Sequence, residues 1–224
     1  MSDGLHTEDQ PRLNADEPPA TGWWRGANPL VAAALAALLA LAVGFATGVF
    51  AMSGSPDENS PEVGFAHDMS THHSQAVEMG MIAWQRGSLP EVRTLGYDIA
   101  LTQQAQIGLM LGWLEKWGAP TSSDQPAMAW MGHGEHMRPP DGRMPGMASP
   151  AQLEKLRNAE GKQFDVLFCQ LMTDHHIAGV RMARAIVERT DEPEVHELAS
   201  GMVSAQQNEI DVLRKLLVKL GAAA

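Results

Sequence analysis

The chain has 224 residues, and 27 acidic against 16 basic side chains leave a formal charge of −11. That length allows one or two domains, and the charge argues against nucleic acid, which needs basic patches to neutralise phosphates. Fourteen methionines accompany few aromatics, and the single cysteine, Cys169, excludes an internal disulfide framework, a multi-cysteine zinc site and CxxCH haem attachment.

Residues 1–28 are rich in Asp, Glu, Pro and Gly with little periodicity, which predicts a disordered cytoplasmic tail. Leu30 to Ala51 then runs without a charged residue. As a helix this run would span about 33 Å, enough for a bilayer core of roughly 30 Å. Trp23, Trp24 and Arg25 precede it as interfacial anchors, and no Lys or Arg follows until Arg86. A single-pass anchor over 29–52 is therefore expected, placing the N-terminus in the cytoplasm and everything after it outside the cell membrane. The competing reading is a cleaved signal segment ending at Val49-Phe50-Ala51; the acidic leader and the length of the run argue against it.

The rest, 53–224, reads as one all-α domain. Ser60-Pro61 is an N-cap followed by proline, opening a first helix that Gly87 ends near Arg86. Ser88-Leu89-Pro90-Glu91 reads as a capping box for a second helix, which Gly118-Ala119-Pro120 stops. A Pro/Gly-rich loop, 121–148, follows without strand signals. Ser149-Pro150-Ala151-Gln152 is a further capping box, predicting one long third helix to about Arg189; Asp191-Glu192-Pro193-Glu194 starts the fourth.

These helices repeat. Phe65, Met69, His72, His73, Val77 and Met79 recur as Phe168, Met172, His175, His176, Val180 and Met182, and the register continues without a gap through Gln103/Gln206, Ile107/Ile210 and Gly118/Gly221. The unit is a helical hairpin, with copies at about 60–120 and 149–221. A hairpin with one apolar face cannot bury it alone, so the two are expected to pack as a four-helix bundle.

Each copy carries chemistry. Residues at i, i+3 and i+4 share a helix face, so Met69 converges with His72 and His73, with Met79 further along, and Met172, His175, His176 and Met182 repeat the arrangement. Imidazole suits copper, zinc, iron and nickel; thioether sulfur narrows the choice towards Cu(I). The plainer reading makes the methionines core filler, above all Met79 and Met182, and Cys169 a small buried hydrophobe. Gln103, Gln104, Gln206 and Gln207 could then hydrogen-bond the imidazoles. Two adjacent histidines leave a helix about 100° apart, so both can be buried only with partners.

The segment MAWMGHGEHMRPPDGRMPGM adds Met128, Met131, His133, His136, Met137, Met144 and Met147. On a solvated loop such soft donors would form a Cu(I)-capturing surface; alternatively the loop folds back and buries them. Enzyme signatures are missing: no His has a Glu three residues before it, and HExxH, GxSxG and P-loop patterns do not occur.

The tandem motifs MSTHHSQAVEM and LMTDHHIAGVRM, each followed by a QQ-x-x-I segment, resemble family 305 of the domains of unknown function over roughly residues 60–221. That resemblance implies a ferritin-like four-helix bundle, secreted or membrane-anchored in bacteria, associated with copper binding and tolerance. It implicates Met69, His72, His73, Met79, Met172, His175, His176 and Met182 as ligands. The family's Pro before the His pair is replaced by Thr71 and Asp174, and its Glu in Q-x-x-E-I is kept as Glu209 but replaced by Gln106 in the first copy.

The expectation is thus a membrane-tethered, extracytoplasmic protein that binds copper as Cu(I) and is not an enzyme. It has no nucleic-acid partner, and a homo-oligomer is compatible. The alternative is a metal-free interaction module whose His–Gln networks set helix register; a redox enzyme using bound metal is weaker.

Overall fold

The computed structural model of the chain describes residues 40–41, 55–132 and 142–223. The expected tail, nearly all of the expected anchor over 29–52, and His133, His136 and Met137 lie outside the described residues. The chain divides after Gly54 into two compact units, and the helical domain is the second, Ser55–Ala224. Among the described residues no helix is long and apolar enough to cross a membrane.

The described elements are five α-helices, α1 (Pro61–Arg86), α2 (Pro90–Trp117), α3 (Pro150–Asn158), α4 (Gly161–Val187) and α5 (Pro193–Lys219), plus one 3₁₀ turn at Ala129–Met131. The starts of α1 and α3 follow the expected chemistry. Ser60 accepts the amide of Val63, and Ser149 and Gln152 complete a reciprocal capping box. Gly118, at φ 69°, ends α2 in the left-handed conformation that favours glycine.

Two expectations need correction. The long third helix is broken: Ala159 is extended and Gly161 takes φ +54°, so α3 and α4 are separate. The capping box at Ser88 does not form either. Leu89 occupies the cap position, and the carboxylate of Asp165 on α4 accepts the amides of Ser88 (2.8 Å) and Leu89 (3.0 Å) together with the Ser88 hydroxyl. A buried side chain of one repeat thus caps a helix of the other.

Helices α1 and α2 form one hairpin, α4 and α5 a second, and α1 packs on α4. Ion pairs Lys116–Glu194 and Lys219–Glu91 join opposite ends of α2 and α5. The hairpin crossing in the first repeat is close: a Cβ on Gly80 would lie 2.5 Å from the Gly96 carbonyl oxygen. The second repeat carries Ala183 and Ala199 at those places.

The core divides into two apolar clusters. One holds Met79, Ala83, Val92, Phe168, Met172 and Leu217; the other holds their repeat equivalents Met182, Ile186, Val195, Phe65, Met69 and Leu114. A pseudo-two-fold axis therefore exchanges the clusters. Phe65, Phe164 and Phe168 are fully buried, each stabilising by about 1.5–3 kcal/mol. Along α1, α2, α4 and α5 the positions between the clusters are taken by His72, His73, Gln103, His175, His176 and Gln206, all buried. The polar layer sits at the waist of an apolar core.

Candidate metal centre

The waist is built around the two repeat-equivalent histidines. His72 on α1 and His175 on α4 meet face to face, with ring centroids 3.7 Å apart and planes inclined by 32°. Their neighbours His73 and His176 are equally buried, so both members of each pair are hidden. Each has found the partner that concealment requires.

Those partners fix the tautomers. The Nε2 of His72 donates to the Pro145 carbonyl (3.3 Å), and that of His175 to the His72 carbonyl (2.9 Å). The Nε2 of His73 donates to Gln106 Oε1 (2.8 Å), and that of His176 to Glu209 Oε2 (2.7 Å). Carbonyl and carboxylate oxygens accept only, so each of the four rings carries a proton on Nε2. All four Nδ1 atoms are buried without a hydrogen-bond partner among the described residues. Burial holds His72 down to about pKa 4 and His73 to about 3, with the neighbouring imidazoles adding to the effect, and His175 lies well below the usual histidine range for the same reasons. These three rings are neutral at neutral pH.

A neutral imidazole with Nε2–H held by an oxygen and a bare Nδ1 is the arrangement found where histidine ligates a metal. The residues therefore fit a metal in tautomer and charge. Among the described residues no three His, Cys, Asp or Glu side chains are grouped to cage an ion.

The methionines are shared between copies. Met69 and Met182 lie in one cluster beside the waist, Met79 and Met172 in the other, all fully or almost fully buried. That is where packing methionines belong, and it also puts thioethers on both sides of the histidines. Cys169 is buried among apolar residues, which, with nearby Asp165, pushes its thiol up to about 12; it stays a thiol and packs as a small hydrophobe.

The expected hydrogen-bond partners were partly different. Gln104 and Gln207 are exposed, while Gln103 and Gln206 reach the waist but leave side-chain atoms unpartnered among the described residues. Gln106 and Glu209 serve instead, each 33 residues after its histidine. Their equivalent places in the two copies were the available signal.

The loop is not a solvated capturing surface over its described part. Met128 and Met144 are buried, and Met131 and Met147 pack half-buried against the same apolar cluster. The amide of Met128 and the indole of Trp130 donate to Asp68. At the loop's far end Gln75 and Ala148 exchange two hydrogen bonds, which seats Pro145 over His72. Gly146 makes this possible: at φ +77° any Cβ would lie 2.6 Å from the Asp174 carbonyl oxygen and from Ala178 Cβ. Gln75, Pro145 and Gly146 are thus site residues that motif reading missed; the Pro-Gly pair was their signal.

The chain belongs to the family described as Domain of unknown function (DUF305), whose model matches residues 62–217. It is similar to the crystal structure of a DUF305 protein from Streptomyces coelicolor whose name calls it secreted, with 47% identity, TM-score 0.69, and coverage of 75% of this chain and 98% of that one. A DUF305 fragment from Deinococcus radiodurans follows at 31% identity, TM-score 0.59, covering 71% of this chain and 96% of its own. The Cu(I)-bound form of a protein named CopM matches at 24% identity, TM-score 0.56, over 71% and 96% of the two chains, a likeness of fold. No curated protein matches the chain.

Proposed function

We propose that the chain is an extracytoplasmic copper-binding protein that holds Cu(I) at the waist of its helical domain, for sequestration or tolerance rather than catalysis. The observation that carries this reading is the set of four buried imidazoles with Nε2 engaged and Nδ1 free. Nitrogen from His72, His73, His175 and His176 and sulfur from Met69, Met79, Met172 and Met182 are the donors. Borderline and soft ligands of this kind favour Cu(I) over magnesium or calcium. The like-folded CopM has been described in Cu(I)-, Cu(II)- and Ag-bound forms, which supports a soft metal. Export is supported by the secreted name of the Streptomyces relative, and tethering by the uncharged run at 30–51.

A metal-free interaction module is the second reading, favoured by the lack of a preformed three-residue cage among the described residues. Thermal melting with and without Cu(I), under anaerobic reducing conditions, separates the two. A ligand bound only by the native state, at 100 times its Kd, stabilises by about 2.7 kcal/mol, which raises the melting temperature of a domain this size by roughly 5–10 °C. An unchanged Tm would select the metal-free module.

A further inference from the structure

A second site lies on the outer face of the second repeat. Arg181 and Arg184 on α4 and Arg214 on α5 line one open cavity of about 330 Å³ whose apolar wall is Ile177, Val180 and Ile210. Among the described residues no carboxylate lines it; the remaining polar contributor is the amide of Gln207. Elsewhere in this acidic chain many exposed cations find carboxylates: Arg86 pairs with Glu160, Lys116 with Glu194, Arg157 with Glu78 and Glu154, Arg189 with Glu188, and Lys219 with Glu91. Among the described residues Arg181, Arg184 and Arg214 make no side-chain ion pair or hydrogen bond. Three like charges facing one cavity repel one another, and no described side chain pairs with them to offset that.

The duplication supplies an internal comparison. Arg181, Arg184 and Arg214 correspond in the first repeat to Glu78, Met81 and Leu111, and Ile177 to Ser74, whereas Val180, Gln207 and Ile210 correspond to Val77, Gln104 and Ile107. Val180, Gln207 and Ile210 are thus shared by both copies, and the three charges are not. The first hairpin therefore forms without arginine at these places.

We propose that Arg181, Arg184 and Arg214 form a receiving site for a phosphoryl oxyanion attached to a small carbon skeleton, as in a phosphate ester or a phospholipid headgroup. Guanidinium forks match the geometry of phosphate oxygens bidentately and stay charged at any physiological pH. The apolar wall takes the carbons next to the phosphate. The cavity's volume of about 330 Å³ is enough for one headgroup-sized ligand. This site is independent of copper.

The test uses the full chain and its R181Q/R184Q/R214Q variant, with matched melting temperatures as the folding control. Both are titrated calorimetrically with glycerol 3-phosphate and inorganic pyrophosphate, and co-sedimented with phosphatidylglycerol or phosphatidylcholine vesicles. Saturable binding to the wild type that weakens with added salt and falls about tenfold or more in the variant is expected. Variant-sensitive binding of glycerol 3-phosphate, without a preference for phosphatidylglycerol vesicles, identifies a free ester as the source. A variant-sensitive preference for phosphatidylglycerol alone identifies a lipid headgroup. Equal binding by both chains in every arm, no binding in any arm, or displacement by polyglutamate but not by pyrophosphate would overturn the proposal.

Discussion

His72 and His175 hold equivalent places in the two repeats, 103 residues apart, and stack on each other at the pseudo-two-fold axis, with His175 donating to the His72 backbone carbonyl. An axis through a residue pair puts both copies of a motif in one place, so a duplicated His-His becomes a single four-imidazole layer. The same contacts predict one tautomer throughout. Nitrogen-15 NMR of the metal-free protein at neutral pH should show His72, His73, His175 and His176 all protonated on Nε2; a resonance pattern with Nδ1–H on His72, His73 or His175 would break the ligand assignment.

Acid should weaken the metal-free fold through the same rings. In the unfolded chain a histidine titrates near 6.5, while in the fold His72 is held to about 4 and His73 to about 3. Above about pH 6.5 both states are neutral and nothing is lost. As pH falls below that value the unfolded chain takes up protons that the fold refuses, so stability drops until the folded values are reached. Unfolding free energies from denaturant titrations between pH 7 and pH 4 should fall by an amount on the order of a few kcal/mol. A flat profile would mean that the rings are hydrated or charged in the fold.

The two copies should bind metal unequally. His176 rests on the carboxylate of Glu209 and His73 on the amide of Gln106, at matching positions. A carboxylate partner raises the basicity of the ligating nitrogen more than an amide does, and outer partners of this kind are worth roughly 10–100-fold in metal affinity. Glu209→Gln should weaken Cu(I) binding within that range, and Gln106→Glu should strengthen it. Equal affinities across wild type and both variants would show that these partners act on packing alone.

Gly146→Ala tests whether the loop end belongs to the site. The substitution places a side chain at φ +77° against Asp174 and Ala178, with a cost on the order of 1–3 kcal/mol. Pro145 should lift from His72, and Cu(I) affinity should change together with the melting temperature. Stability lost with affinity retained would separate the loop from the metal site.

Much of the frame was legible from the chain because its signals are local. Ser60-Pro61, Gly87, Gly118 and the Ser149–Gln152 box act within a few residues, and the structure places helix ends at each. The uninterrupted register between repeats likewise implied two equivalent hairpins, which the structure joins through His72 and His175. What was missed depends on distant contacts. Asp165 takes the capping duty of Ser88 from another helix, which no local pattern encodes. The choice of Gln106 and Glu209 over Gln103 and Gln206 depends on how α2 and α5 are rotated against the histidines. The fate of the loop methionines depended on a hydrophobic cluster assembled from all four long helices. The Gly161 break was local and was overridden by helical periodicity on either side.

A copper site at the waist is tested most directly by an anaerobic Cu(I) competition titration of the full chain against a chromophoric chelator, beside the His72→Ala/His175→Ala variant. The wild type should withdraw Cu(I) from the chelator, and the double variant, still folded by circular dichroism, should lose most of that capacity. Equal competition by the two proteins would contradict a copper site at the waist, and no competition by the wild type would leave the histidine layer as a structural element alone.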